Sequence, residues 1–436
     1  MPMTSINNTS RGRVVFGLVF SLIALTGPVG AQTGATGEHW VGTWATAAVS
    51  APSEAPAQPP SGLPAPALRF NNQTFRQFVR ISIGGERVRV VLTNAFGTRP
   101  LTIDGAHLAL RRSGAAIAAG SDRALTFGGL QTATIPPGAI LVSDPVNLSV
   151  PDSSDVSIDL FFPGDTAASP SPLTVHSGSR QTNYLSGPGK HLGSAELPGA
   201  TAVPAWAFLA RLEVVAPDRV GAVVAFGDSI TDGFNSTPDT NNRWPDHLAK
   251  RLAAAGSRMG VLNLGIDGNR VLVDGAGISA LARFDREVLA QPGATHVFVL
   301  EGINDLGIGA LFMDGPRPTT EQLIAGHRQL IARAHAKGLK IVASTLLPYE
   351  GTTFPGYFTP EGEAIRQAFN GWLRTGKEYD GIVDLDAVMR DPARPSQMLA
   401  KYDSGDHLHP NDAGYKAMAE ALDVTLLGLP MAASVR

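Results

Sequence analysis

The hydrophobic and polar positions follow two different periods along the chain. From residue 39 to about residue 215, apolar and polar residues alternate in short segments, as at 78–83 and 88–92, and turn residues separate the segments. A period of two is typical of strands that bury one face. Because these two segments flank Gly84 and Gly85, the pattern predicts a β-hairpin there. Residues 38–215 are therefore predicted to form an all-β domain, a β-sandwich of jelly-roll type.

From about residue 216 onward, short apolar runs alternate with segments of helical period. Two of the predicted helices start with capping signals, Thr319 with Gln322 and Thr359 with Pro360. Repeated β–α alternation predicts a parallel five-stranded sheet with helices on both faces over residues 216–436. In such sheets, ligands bind at the carboxyl ends of the strands. The predicted strands lie at 220–226, 261–265, 295–300, 340–346 and 382–385, and the helices at 244–255, 279–290, 320–337, 361–375 and 412–427.

The N-terminal segment has the order of features found in secretory signal peptides. Arg11 and Arg13 precede an apolar run at 14–25, and a small-residue segment ends at Ala31. The apolar run is shorter than the roughly 20 residues that a bilayer-spanning helix needs. We therefore expect a signal peptide over residues 1–31 and an exported protein, periplasmic or secreted, without a membrane span. An uncleaved N-terminal anchor is the alternative.

The composition excludes several kinds of site. The chain has 35 Lys and Arg against 38 Asp and Glu, a net charge of −3, and it has no cysteine. A charge so near zero argues against a surface for nucleic acid. The lack of cysteine excludes disulfides, cysteine nucleophiles and thiolate metal sites. The sequence does not indicate an oligomeric state.

Polar clusters occur where the predicted strands end. Gly-Asp-Ser ends at Ser229, Gly265 closes the second strand, Gly-Ile-Asn-Asp contains Asn304, and Asp-His-Leu-His-Pro contains Asp406 and His409. This ordered set resembles the four sequence blocks of the SGNH hydrolases, the GDSL esterase and lipase superfamily, with isoleucine in place of the eponymous leucine. The resemblance covers the second half and implies a flavodoxin-like α/β fold. The first half resembles, more loosely, the β-domain that precedes some exported members.

The residues themselves indicate serine hydrolase chemistry. A serine hydroxyl becomes a nucleophile when a base accepts its proton. His409 is the predicted base for Ser229, and Asp406, three residues earlier, is predicted to orient the imidazole ring. The resemblance implies an oxyanion hole made of the backbone N–H groups of Ser229 and Gly265 and the side-chain amide of Asn304. We therefore predict an exported serine esterase that forms an acyl-enzyme and needs no cofactor.

Other readings of the same residues remain open. An acyltransferase with the same triad would pass the acyl group to an alcohol, and a carbohydrate-binding protein with a catalytically silent second half is a further alternative. A metal on Asp406, His407 and His409 is disfavoured, because three ligands within four residues strain the coordination geometry. Asp228 and Asp305 are predicted to be structural. The polar loop at 176–186 is a candidate border of the site.

The natural ester is less well specified than the chemistry. The loop at 232–244 is rich in hydrogen-bonding side chains, and buried polar groups facing an alkyl chain would lack partners. Large apolar side chains cluster instead between Leu306 and Met313, and they are few. These features predict short acyl groups on polar or sugar-like alcohols, so the expected partner is a small-molecule or saccharide ester.

Overall fold

The computed structural model describes residues 37–51, 68–312 and 317–428, without the side chains of 308–312. The predicted signal peptide at 1–31 lies outside these ranges. Glu38–Arg436 forms one compact unit. In the described part of the chain, no helix is both long and apolar enough to cross a bilayer.

The first half is built from strands, as the period-two pattern predicts. One sheet has the strand order β1-β17-β4-β10 with β11 also on β4, and a second has the order β15-β14-β3-β12-β6-β7 with β8 on β6. Two small sheets, β16-β13-β2 and β5-β9, complete this half. The strands are β1 Trp40–Ala45, β2 Val49–Ala51, β3 Gln73–Arg80, β4 Gly85–Thr93, β5 Leu101–Asp104, β6 Ala106–Ser113, β7 Ala116–Ile117, β8 Arg123–Leu125, β9 Thr132–Ile135, β10 Ile140–Val142, β11 Val146–Val150, β12 Asp155–Phe162, β13 Leu173–Ser177, β14 Asn183–Pro188, β15 Thr201–Val203, β16 Ala205–Ala207 and β17 Leu209–Val215.

The predicted hairpin around Gly84 is wrong. β3 pairs with β12 and β14, whereas β4 pairs with β10, β11 and β17, so the two strands lie in different sheets. A Cβ at Gly84 would lie 1.9 Å from the carbonyl oxygen of Val150, so the backbone passes too close to the end of β11 for any other residue. Alternation shows that each strand buries one face, but it does not say which strand lies beside it.

The second half contains the predicted parallel sheet, in the order β19-β18-β20-β21-β22. The capping box at Thr319 and Gln322 forms, and Thr359 caps the helix that begins at Pro360. The elements are β18 Ala222–Gly227, α1 Ser229–Asp232, α2 Trp244–Ala254, β19 Gly260–Gly265, α3 Ala280–Phe284 with a π-helical continuation Asp285–Leu289, β20 Ala294–Leu300, α4 Ile303–Phe312, α5 Thr320–Ala336, β21 Lys340–Ser344, α6 Pro360–Gly376, β22 Gly381–Val383, α7 Leu385–Met389, β23 Arg390–Asp391, β24 Arg394–Met398 and α8 Asp412–Ala421.

The last helix is shorter than predicted. α8 ends at Ala421, and a separate 3₁₀ turn covers Val424–Leu427. The Asp423 carboxylate accepts a hydrogen bond from the N–H of Thr425 at 2.9 Å, which caps the new turn and ends the continuous helix before it.

The two halves share backbone and side-chain contacts along β1 and β19. The N–H of Gly42 donates to the carbonyl of Pro292 at 3.1 Å, and the N–H of Val261 donates to the Ser82 hydroxyl at 2.9 Å. The all-β segment ends with β17 at Val215, and the parallel sheet starts at Ala222. The two halves are therefore in direct contact. Residues of the all-β half, called the β-half below, can thus lie near the edge of the parallel sheet where the site is predicted.

Candidate active site

Ser229 lies at the carboxyl end of β18, as the first residue of the short helix α1. Asp228 caps this helix, since one of its carboxylate oxygens accepts the N–H of Ile230 at 2.9 Å. Gly233 ends the helix in the left-handed conformation, with φ 101°. The sharp strand-to-helix turn fixes the serine at the edge of the sheet, where only 5% of the residue is exposed.

The structure brings Ser229, His409 and Asp406 into one hydrogen-bonded chain. Ser229 Oγ lies 2.8 Å from His409 Nε2, and His409 Nδ1 lies 2.6 Å from Asp406 Oδ2. Burial raises the pKa of Asp406, but the hydrogen bond and charge of His409 outweigh this and lower the pKa to about 2. A carboxylate that stays ionised holds Nδ1 protonated and leaves Nε2 free to accept the serine proton.

The Asp406 carboxylate is held by several donors besides His409. Its Oδ1 accepts the N–H groups of His409 and Leu408, at 2.8 and 3.0 Å. Its Oδ2 accepts the side-chain amide of Asn235 at 2.9 Å. Asn235 takes a left-handed φ of 65° in the loop after α1. Sequence reasoning missed this contact, because an asparagine in a polar loop gives no local sign of its partner.

Two aromatic rings flank the imidazole of His409. The Phe234 ring centre lies 4.5 Å from that of the imidazole, and the Phe354 ring meets it edge-on at 6.2 Å and 82°. The backbone carbonyl of Phe234 is in turn fixed by the hydroxyl of Tyr415 at 2.6 Å. The aromatic packing restricts the ring to one orientation, which the hydrogen-bonded chain through Ser229 requires.

Asn304 presents a donor that no described residue accepts from. Its Nδ2 is buried and has no hydrogen-bond partner within the residues that the structure describes. Its Oδ1 accepts the hydroxyl of Tyr357 at 2.8 Å, which fixes the direction of the amide. Buried donors normally have partners, so an unpaired one suits an oxygen that becomes negative in the transition state. Tyr357 has no signal in the sequence that links it to Asn304.

At Gly265 the backbone lies close to α1, and the Gly265 N–H already has a hydrogen-bond partner. A Cβ at this position would lie 2.2 Å from the backbone nitrogen of Asp232, which explains the need for glycine. Its N–H donates to the side-chain oxygen of Asn263 at 3.0 Å. The predicted role of the Gly265 N–H in the oxyanion hole is untested and stays a prediction.

Buried charged side chains make hydrogen bonds to the backbone near the strand ends. Arg283, 1% exposed, donates to the carbonyls of Gly227 and Leu264 at 2.9 and 2.7 Å and so ties β18 to β19. Asp305 accepts the N–H of Val271 at 2.7 Å, and burial raises its pKa to about 6. Burial also raises the pKa of Asp228 to about 7. These contacts agree with the structural roles predicted for Asp228 and Asp305.

His407 takes no part in the hydrogen-bonded chain. Its ring pairs with Asp403, and 49% of the side chain is exposed. Among the side chains that the structure describes, no group of three or more His, Asp and Glu has the arrangement of a metal site. The structure therefore separates the two histidines of the Asp-His-Leu-His-Pro segment.

The β-half reaches the site through the loop that follows β13. His176 Nε2 lies 3.0 Å from Asp232 Oδ1, and its Nδ1 lies 2.7 Å from the carbonyl oxygen of Ala47. Both ring nitrogens therefore face acceptors. Burial lowers the pKa of His176, but the charge and hydrogen bond of Asp232 act against burial, and the pKa is raised overall. The guanidinium carbon of Arg180 lies 4.6 Å from the ring centre of Phe234. The loop does border the site.

Comparison with known proteins finds a family match in the second half of the chain. The family model of GDSL-like lipases and acylhydrolases matches residues 225–417. Among curated proteins, none matches the chain significantly.

Solved structures similar to the chain include three ester hydrolases. An aryl esterase from M. smegmatis is 17% identical, covers 48% of this chain and 100% of its own, and has a TM-score of 0.39. A carbohydrate acetylesterase family member from Sinorhizobium meliloti is 18% identical with the same coverage and a TM-score of 0.38. A GDSL-like lipase from Bacteroides thetaiotaomicron is 17% identical, covers 48% of this chain and 88% of its own, and has a TM-score of 0.36. Likenesses this distant carry no argument about the substrate.

Proposed function

We propose that the chain is an ester hydrolase that cleaves carboxylic esters through an acyl-enzyme on Ser229, as the match of residues 225–417 to the GDSL-like lipase/acylhydrolase family supports. The observation that carries this proposal is the chain of hydrogen bonds from Ser229 Oγ to His409 Nε2 at 2.8 Å and from His409 Nδ1 to Asp406 Oδ2 at 2.6 Å.

The reaction follows from these contacts. Ser229 Oγ attacks the ester carbonyl carbon while its proton passes to His409 Nε2. The Asp406 carboxylate stabilises the imidazolium that forms. When the tetrahedral intermediate collapses, the C–O bond to the alcohol breaks and His409 returns the proton to the leaving oxygen. Water, activated by the same histidine, then hydrolyses the acyl-enzyme and restores the serine.

The negative oxygen of the tetrahedral intermediate needs donors that are already in place. The side-chain amide of Asn304 meets this need, because its Nδ2 is buried and unpaired within the described residues. The backbone N–H of Ser229 is the second proposed donor. The N–H of Gly265 is the third, and substrate would have to displace its contact with Asn263.

The substrate that we propose has a short acyl group on a polar or sugar-like alcohol. Phe234 and Phe354 pack beside His409, and Tyr357 bonds to Asn304, so the site residues are accompanied by bulky aromatic side chains, which favours a short acyl group. The loop at 232–244 is polar, although Asn235 and other members already bond within the protein. The apolar stretch from Leu306 to Met313 extends beyond the described side chains. Export through cleavage of residues 1–31 also belongs to the proposal.

An acyl-length series tests this function directly. p-Nitrophenyl esters from acetyl through butyryl to palmitoyl are compared by kcat/KM, with Ser229→Ala as the control for each. We expect a maximum at acetyl to butyryl and no hydrolysis by Ser229→Ala. Values that rise towards palmitoyl would overturn the short-acyl proposal, and ester transfer to an added alcohol as the main product would identify an acyltransferase.

A further inference from the structure

A cation from the β-half lies next to the proposed base. Arg180 follows β13, and its guanidinium carbon sits 4.6 Å from the Phe234 ring centre. The same ring lies 4.5 Å from the imidazole of His409. The guanidinium and the imidazole therefore contact the same aromatic ring, and the cation–π contact keeps the guanidinium oriented.

This guanidinium has no bonded counter-ion among the described residues. Across the described ranges, it makes neither an ion pair nor a hydrogen bond, whereas Arg76 in the same half is paired to Asp159 at 2.7 Å. Asp232 is paired with His176. Burial and the charge of Asp232 raise the pKa of Asp267, whereas the charge of Arg180 lowers it. Within the described residues, neither carboxyl is hydrogen-bonded to Arg180, so the guanidinium N–H donors remain available to a ligand.

The loop holds Arg180 in a fixed and unusual conformation. Arg180 has φ 50°, in the left-handed region that a residue with a Cβ rarely adopts, and such strain persists only where surrounding contacts determine it. Here its carbonyl accepts the N–H of Asp239 at 2.9 Å. The Asp239 carboxylate in turn accepts the N–H and the hydroxyl of Thr182 at 2.7 and 2.5 Å. The loop of the β-half and the loop after the nucleophile are locked together.

We propose that Arg180 forms an anion subsite that takes a carboxylate on the alcohol part of the ester. The inference rests on the proposed function and adds a substrate class to it: short acyl esters of acidic alcohols. A guanidinium presents paired N–H donors that match the two oxygens of a carboxylate, and such charge-assisted pairs are strong. The charge is assigned to the alcohol part because the Arg180 loop is bonded to the polar loop at 232–244, which the proposed function places beside the alcohol.

Two acetyl esters, one with an anionic and one with a neutral alcohol part, test the subsite. The first is 4-acetoxybenzoate and the second is its methyl ester, so both carry the same acetyl group. Specificity is the ratio of kcat/KM for the acid to that for the methyl ester. We expect Arg180→Gln to lower this ratio about 10- to 100-fold and Arg180→Lys to lower it less, because lysine keeps the charge but loses the paired donors.

A matched control removes a positive charge elsewhere in the β-half. Arg112 is an exposed arginine paired with Glu196, and Arg112→Gln should leave the ratio unchanged. If Arg180→Gln lowers kcat/KM equally for both esters, or leaves the ratio at the wild-type value, the anion subsite is wrong. Hydrolysis of the methyl ester by Ser229→Ala would instead refute the proposed function, whatever Arg180 does.

A measurement on the unaltered protein covers the case in which the variants do not fold. Benzoate should compete with hydrolysis of the neutral methyl ester, and benzamide should compete far less, with the difference shrinking as salt is added. Equal inhibition by the two compounds, or none by benzoate, would contradict the proposal.

Discussion

Replacing Tyr357 with Phe removes one hydroxyl and tests how the proposed oxyanion donor is held. The Tyr357 hydroxyl donates to Asn304 Oδ1 at 2.8 Å, and both residues are buried. Without it, the amide can turn its oxygen toward the oxyanion. A buried hydrogen bond contributes about 0.5–1.5 kcal/mol, which corresponds to a fall in kcat of about 2- to 12-fold. The upper limit is the fall in kcat expected for Asn304→Ala, which removes the donor altogether, about 10²- to 10³-fold.

The assay is steady-state hydrolysis of p-nitrophenyl acetate, with melting temperature as the check on folding. KM should change little, since the donor acts on charge that forms in the transition state. Tyr349→Phe is the matched control, because the Tyr349 ring packs against Tyr357 at 5.9 Å while its buried hydroxyl has no partner within the described residues. The double variant of Tyr357 and Asn304 should be no slower than Asn304→Ala. Additive losses, or a rise in KM at constant kcat, would refute the reasoning.

Two further predictions concern the other site residues. We expect His409→Ala to be as inactive as Ser229→Ala, and the double variant to be no worse than either. His407→Ala should keep most of the activity, measured as kcat with the same ester. An inactive His407→Ala would require a different base. Because the folded-state pKa of Asp406 is lowered from 3.8 to about 2, its carboxylate stabilises the fold above about pH 4, and this contribution is lost as pH falls through about 2. The melting temperatures of wild type and Asp406→Asn should therefore converge as pH falls from 6 toward 2, and a constant difference would argue against the shift.

The parts of the fold that were predictable are those with local causes. The helix α6 begins where Thr359 can cap it and Pro360 fits its first turn, so its start follows from neighbouring residues. The parallel strands follow from short apolar runs between helices. The contact between Ser229 and His409 was predictable because both motifs lie at the carboxyl edge of the parallel sheet, where the topology brings them together.

The parts that were not predictable depend on contacts between distant segments. β3 and β4 are consecutive and alternate correctly, yet each pairs with strands elsewhere in the chain. His176 meets Asp232 across 56 positions, and Tyr357 meets Asn304 across 53. Such pairs form only when the sheets pack, so no nearby residue indicates them.

Covalent labelling measures the central claim, that Ser229 is the nucleophile, most directly. A fluorophosphonate probe reacts with a serine that a neighbouring base activates, and peptide mapping by mass spectrometry locates the adduct. We predict one adduct, on Ser229, formed in proportion to the loss of esterase activity, and absent from Ser229→Ala. An active preparation that is inactivated with the adduct on another serine, while Ser229 stays unmodified, would contradict the account.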